Sequence, residues 1–263
     1  MKILLCKTGL IPYDQALALQ YELVDARMND WIGNVLLLVE HPPVLTKGTR
    51  TDSANIYQTE EQLQKLGVEV FEVNRGGDVT YHGPGQIVGY PIVQLKDFDD
   101  GIRWFIQTME QSLIDLLKDR FQIQAHALQG KYTGVWVGER KITAFGLAVR
   151  HGVTMHGFAF NVNTGLNWFN LINPCGLSRG VTSVAEETGM EADMDRTTED
   201  VAAYIAGHFG WEAEWITLEQ LRMDLERTRE NGRFSDLERL SEKEQIRENA
   251  RFSEKELSSD GSE

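Results

Sequence analysis

Apolar residues in this chain recur with two different periods, and the alternation between them outlines the fold. After Pro12, Leu17, Tyr21, Val24 and Met28 return at helical spacing, which predicts a helix over 12–29. Val35 to Val39 is a short apolar run stopped by His41-Pro42-Pro43, the pattern of a buried strand ending in a turn. Phe105, Met109, Leu113, Leu116 and Leu117 share one face of a second helix, over about 101–120. Tyr132–Val137, the turn Gly138-Glu139-Arg140 and Lys141–Val149 read as a β-hairpin. Phe158, Phe160 and Val162 alternate with Ala159 and Asn161, so a further strand is expected, with His156 on the parity of the two phenylalanines. Ser183 and Glu186 have capping-box spacing, and Thr198 is expected to open a last helix that Gly210 stops. Hairpins mixed with helices predict an α+β domain with a mixed sheet flanked by helices, not a doubly wound one.

Charge sharpens the domain organisation. The formal net charge is −14, of which 15 acidic and 9 basic residues put −6 on positions 212–263. Large apolar residues thin out beyond Trp215, and such a composition cannot bury a core of its own. Residues 1–216 are therefore read as the folded domain and 217–263 as a charged C-terminal appendage, helical or disordered. An acidic chain is a poor general binder of nucleic acid, whose affinity rests on Lys and Arg. No apolar run approaches the roughly 20 residues needed to span a bilayer, and the N-terminal stretch is too short and too quickly polar to read as a secretory signal. Two cysteines, Cys6 and Cys175, make no disulfide framework, which suits a reducing cytoplasm.

Candidate chemistry is concentrated in two places. Arg75–Pro91, RGGDVTYHGPGQIVGYP, holds five glycines with Arg75, Thr80, Tyr81, His82 and Gln86. Glycines at this density let backbone amides approach a ligand, and the added polar side chains turn a connector into a binding wall. The order is neither that of a phosphate loop nor of a dinucleotide fingerprint. Cys175, flanked by Pro174 and Gly176, reads as a loop thiol that a cation would activate, with Lys141, His82 and His156 as the possible partners. Cys6, in an apolar run, reads as core. Paired ligand spacings are missing, so no metal is expected.

The ordered segments RGGDVTYHGPGQ, KITAFG, HGFAFNVN and NPCG closely resemble lipoyl(octanoyl) transferases of the biotin/lipoate protein ligase fold group, from about Tyr13 to Trp215. The resemblance implies that octanoate passes from acyl carrier protein to a cysteine thioester and then to a lysine of a lipoyl domain, as in 2-oxoacid dehydrogenases and the glycine cleavage H protein. It implies Cys175 as nucleophile and Lys141 as the residue that lowers its pKa. Arg75, Gly76, Gly77, Asp78, Val79, Thr80, Tyr81 and His82, with Ala144, Phe145 and Gly146 and with Gly157, Phe158 and Ala159, would line the acyl pocket. His41, His82 and His156 match the family's recurrent histidines. Thioester exchange followed by aminolysis needs no nucleotide, so no cofactor is expected. Rival readings are an ATP-dependent lipoate ligase, an octanoyl amidotransferase acting between lipoyl-domain proteins, and a non-catalytic binding module. Because the carrier is itself acidic, a local basic rim of Arg50, Arg75, Arg140 and Arg150 is expected at the pocket mouth.

Overall fold

A computed structural model describes residues 1–98, 101–173 and 180–228. Its elements follow in the order β1 (Lys2–Leu10), α1 (Tyr13–Met28), β2 (Asn34–Glu40), β3 (Val44–Lys47), α2 (Glu60–Lys65), β4 (Glu69–Glu72), β5 (Thr80–His82), β6 (Gln86–Ile92), α3 (Gly101–Phe121), β7 (His126–Leu128), β8 (Gly134–Val137), β9 (Arg140–Arg150), β10 (Val153–Asn161), α4 (Val184–Thr188), α5 (Met194–Phe209), β11 (Glu212–Ile216) and α6 (Leu218–Thr228). The chain divides into two units, Met1–Leu221 and Arg222–Glu263. The first is the α+β architecture expected.

Within it an eight-stranded sheet runs β11-β1-β2-β6-β10-β9-β8-β7 among the described residues. β1 is parallel to both β2 and β11, and the other neighbours are antiparallel, so the sheet is mixed. Alternate residues face opposite ways. Leu36, Leu38, Ile87, Phe158 and Phe160 join Phe105, Met109, Leu113, Val201 and Ile205 in a core beneath α3 and α5. α1 covers the other face over β6 and β10. A three-stranded sheet, β4-β3-β5, has its own core of Leu45, Leu63, Val79, Tyr81, Phe169 and Ile172.

Several local expectations change. Thr198 does not open a helix: α5 starts at Met194, capped by the Asp193 carboxylate on Arg196 N–H, and Thr198 Oγ turns back to Met194 O one turn in. Tyr132 belongs to a 3₁₀ turn, and β8 begins at Gly134. β10 is buried on both faces along its whole length, which the expected alternation did not anticipate. Ser183 caps α4 by accepting Glu186 N–H, and Gly210 ends α5 in the left-handed conformation.

Candidate active site

A cavity of about 450 Å³ lies against β9 and β10, walled by the glycine-rich segment. The antiparallel register pairs Gly146 with Gly157 and Ala144 with Ala159, so four small residues make its floor. Gly76 N–H donates to Leu147 O at 3.1 Å, which clamps the wall onto β9. A Cβ on Gly146 would lie 2.9 Å from Gly76 O and 3.1 Å from Arg75 Cδ, so the wall can come this close only over glycine. Arg75 to Thr80 and His82 line the cavity, as do Phe145 and Phe158. Tyr81 does not: strand alternation in β5 turns it to the opposite side, stacked on Trp168.

Lys141, near the start of β9, lines the cavity with its Nζ 4.9 Å above the Trp136 ring. Its stem passes Gly134, where a Cβ would stand 3.3 Å from Lys141 Cε and only 2.6 Å from Thr143 O. Gly134 N–H in turn donates to the Glu110 carboxylate at 2.9 Å. Burial raises the Glu110 pKa, opposed by the hydrogen bonds from Gly134 and Gln129 and by the Lys141 charge. On its backbone side, Lys141 N–H donates to Gly180 O and Lys141 O accepts from Thr182 N–H, both at 2.9 Å. Cys175 lies outside the described residues; Gly180 and Asn173 are described on its two sides, and Asn173 N–H donates to Asn55 O at 2.7 Å. Cys6 is buried, and that burial pushes its thiol up to about 11, so it stays protonated at neutral pH.

Deep in the site runs one buried chain of hydrogen bonds. Arg75 Nε and a terminal nitrogen donate to Thr46 Oγ, and Thr46 Oγ meets His82 Nε2 at 3.3 Å. Gln86 Oε1 can only accept, so His82 Nδ1 carries the proton. Gln86 Nε2 donates to Asn161 Oδ1, and Asn161 Nδ2 donates to Thr182 O. The chain thus links the glycine-rich wall to the strand pair that holds Lys141. His41 sits behind the cavity, donating from Nδ1 to Ile11 O and accepting at Nε2 from Tyr90. Burial lowers His41 to about 4 despite the bond to Ile11. Burial, followed by the charges of His41 and Arg75, lowers His82 to about 3. His156 is lowered to about 3 by burial and then by Arg75. All three imidazoles are therefore neutral at physiological pH.

His156 departs from the parity expected of it. At φ +55 it leaves regular strand geometry, and its Nε2 donates to Asn74 Oδ1 rather than joining Phe158 beneath α3. Of the four arginines expected at a rim, Arg50 is exposed and lines the cavity. Arg75 is buried within the wall, Arg140 pairs with Glu187, and Arg150 lies over Tyr21. No three His, Cys, Asp or Glu gather into a metal-holding group among the described residues.

Residues 12–209 match the lipoyl protein ligase A/B catalytic domain. An octanoyltransferase of Desulforamulus reducens is 48% identical over 82% of this chain and 95% of its own. One of Caldicellulosiruptor bescii is 50% identical over 80% and 92%. The chain belongs to the octanoyltransferase family. It is thus an acyltransferase of protein lipoylation. A bipartite lipoate protein ligase from Thermoplasma acidophilum superposes with a TM-score of 0.66 at 17% identity, covering 87% of this chain and 92% of its own. Lipoate-protein ligase A bound with ATP gives 0.64 at 16%, covering 86% and 93%. At these identities the two establish the shared fold.

For this octanoyltransferase family member, the sequence reading missed Tyr13, Tyr90, Thr46, Asn161 and Glu110. Glu110 was detectable, since it is a carboxylate beside Met109 and Leu113 on the apolar face of α3. Tyr90, which lines the cavity, lay inside the glycine-rich segment but was passed over for its polar neighbours; Tyr13, which also lines it, carried no signal, because only the tertiary fold brings α1 there.

Proposed function

We propose that the cavity holds an octanoyl group in transit from acyl carrier protein, through a thioester on Cys175, to a lysine of lipoyl domains such as those of 2-oxoacid dehydrogenases and the glycine cleavage H protein. The observation that carries this reading is the pairing of Lys141 with Gly180 and Thr182: the cavity-lining lysine is hydrogen-bonded to the chain just past Cys175. In the first step the Cys175 thiolate attacks the carrier thioester. A new carbon–sulfur bond forms, the bond to the carrier sulfur breaks, and the Lys141 ammonium protonates the departing thiolate. In the second step the acceptor amine attacks the acyl-cysteine, neutral Lys141 takes its proton, and Cys175 leaves as thiolate. Amides of the glycine-rich wall suit the transient oxyanion.

Thioester and thioester are close in energy and the product amide lies lower, so the sequence runs without nucleotide. Residues 1–216 carry this chemistry in our reading, and 217–263 take no part. A cytoplasmic setting follows from the carrier substrate and the free thiol. Arg50 is the exposed cation that would greet an acidic carrier.

Intact-mass measurement after incubation with octanoyl carrier protein should find one octanoyl adduct, labile to hydroxylamine, without ATP. An adduct of equal yield in Cys175→Ala would overturn the assignment. Lys141→Ala should lower the rate of adduct formation by about 10²–10⁴-fold, and undiminished rates would remove Lys141 from the chemistry.

A further inference from the structure

His156 combines four features that the steps above leave unused. Its ring is 1% exposed yet lines the cavity. Its backbone stands at φ +55 in the middle of a strand, a conformation of the kind that clusters at functional sites. Asn74 Oδ1 fixes the proton on Nε2, which leaves Nδ1 a bare acceptor. Among the described residues Nδ1 has no hydrogen-bond partner. Beside it, Gln20 Oε1 accepts the His156 backbone N–H at 2.8 Å, and Gln20 Nε2 likewise has no partner there.

Distance along the sheet gives this acceptor a meaning. The Lys141 stem lies beside Gly134, which pairs with Ala144. His156 pairs with Leu147. Three strand steps separate Ala144 from Leu147, about 10 Å. An extended octanoyl chain, with carbon–carbon bonds near 1.5 Å, spans about 9 Å from carbonyl to methyl. Small residues, Ala144, Gly146, Gly157 and Ala159, floor the space between.

We propose that His156 is the chain-length determinant of the acyl pocket: its Nδ1 acceptor, with Gln20 Nε2 as donor, holds a water at the level where an eight-carbon chain ends. This rests on the proposed seating of the acyl carbonyl near Lys141. A longer apolar chain displaces that water and buries an acceptor with nothing to accept, a penalty equivalent to about 5- to 150-fold. A long chain ending in a hydroxyl replaces the water and restores the bond.

Three carrier thioesters test the idea in the wild-type protein: octanoyl, decanoyl and 9-hydroxynonanoyl, the last two equal in heavy atoms. Octanoyl should exceed decanoyl in kcat/KM by at least about 5-fold, and 9-hydroxynonanoyl should regain most of the loss. Decanoyl and 9-hydroxynonanoyl transferred alike by a protein active on octanoyl would overturn the proposal. Inactivity on all three would instead sink the transferase chemistry beneath it. In His156→Phe the octanoyl preference should fall toward unity. His156→Gly, which relieves the positive φ, should behave likewise and recover its preference with added imidazole; a preference unchanged in both variants would count against the assignment.

Discussion

Single residues decide how closely the walls of the site approach. Among the described glycines Gly157 makes the tightest approach to backbone: a Cβ there would stand 2.0 Å from Gly89 O, an atom that cannot swing aside. Gly157→Ala should therefore cost about 1–3 kcal/mol, read as a lower denaturation midpoint, and should depress octanoyl transfer because β10 shifts under the cavity floor. An unchanged midpoint would mean that β6 and β10 can separate without penalty. The glycines of the wall were visible in the sequence as a dense cluster, because density alone signals a close approach. Which atom each one admits was not visible, since Gly89, Gly146 and Gly157 meet partners far away in the chain. Chemical type was likewise legible for Lys141 and the histidines, whereas the orientation of His156 was not. A strand pattern assigns parity, and a single positive φ reverses it.

Elements were legible in proportion to their burial. The observed bounds of α1, β2 and α3 lie close to those expected, although α1 buries Ala16, Leu19, Gln20 and Leu23 and, of the stripe Leu17, Tyr21, Val24 and Met28 that marked it, only Val24. β4, with no fully buried residue, and the three-residue β5 left no usable pattern. α5 was misread at its start because Thr198 offers the hydroxyl of a cap. Asp193, five residues earlier, supplies the actual one, and the Thr198 hydroxyl is spent inside the helix. Between elements, the hydrogen-bonded chain Thr46–His82–Gln86–Asn161–Thr182 ties β3, β5, β6 and β10 to the segment paired with Lys141. The sequence singled out His82 and Gln86 and placed Asn161 on a strand, but no single strand pattern shows that they join, because the linkage is cross-strand.

At the scale of the whole molecule, three neutral histidines make folding stability a function of pH. Each has a folded pKa below its unfolded value of about 6.5, so the unfolded chain binds more protons as the solution acidifies. Their contribution is complete above pH 6.5 and is lost as pH falls toward 3–4, each histidine adding a slope of up to about 1.4 kcal/mol per pH unit. Denaturant titrations at pH 7 and pH 5 should show this loss, and His82→Gln should flatten it; parallel pH dependence in the variant would assign the acid sensitivity elsewhere. Net charge, by contrast, says little about the site, where Arg50 faces outward and Arg75 is enclosed.

The position of β1 governs how the protein can be made. This strand lies between β2, which follows directly, and β11, whose first residue is Glu212. At translation rates of about 5–20 residues per second, the interval from Glu40 to Glu212 lasts on the order of 10–30 s. Throughout it β1 presents a bare hydrogen-bonding edge, Lys2 to Cys6, to whatever strand is nearby. When β11 arrives it covers that edge with the exposed carboxylates of Glu212 and Glu214, a finish that discourages further pairing. That edge is therefore open to mispairing until β11 has been made, and it is closed in the finished sheet.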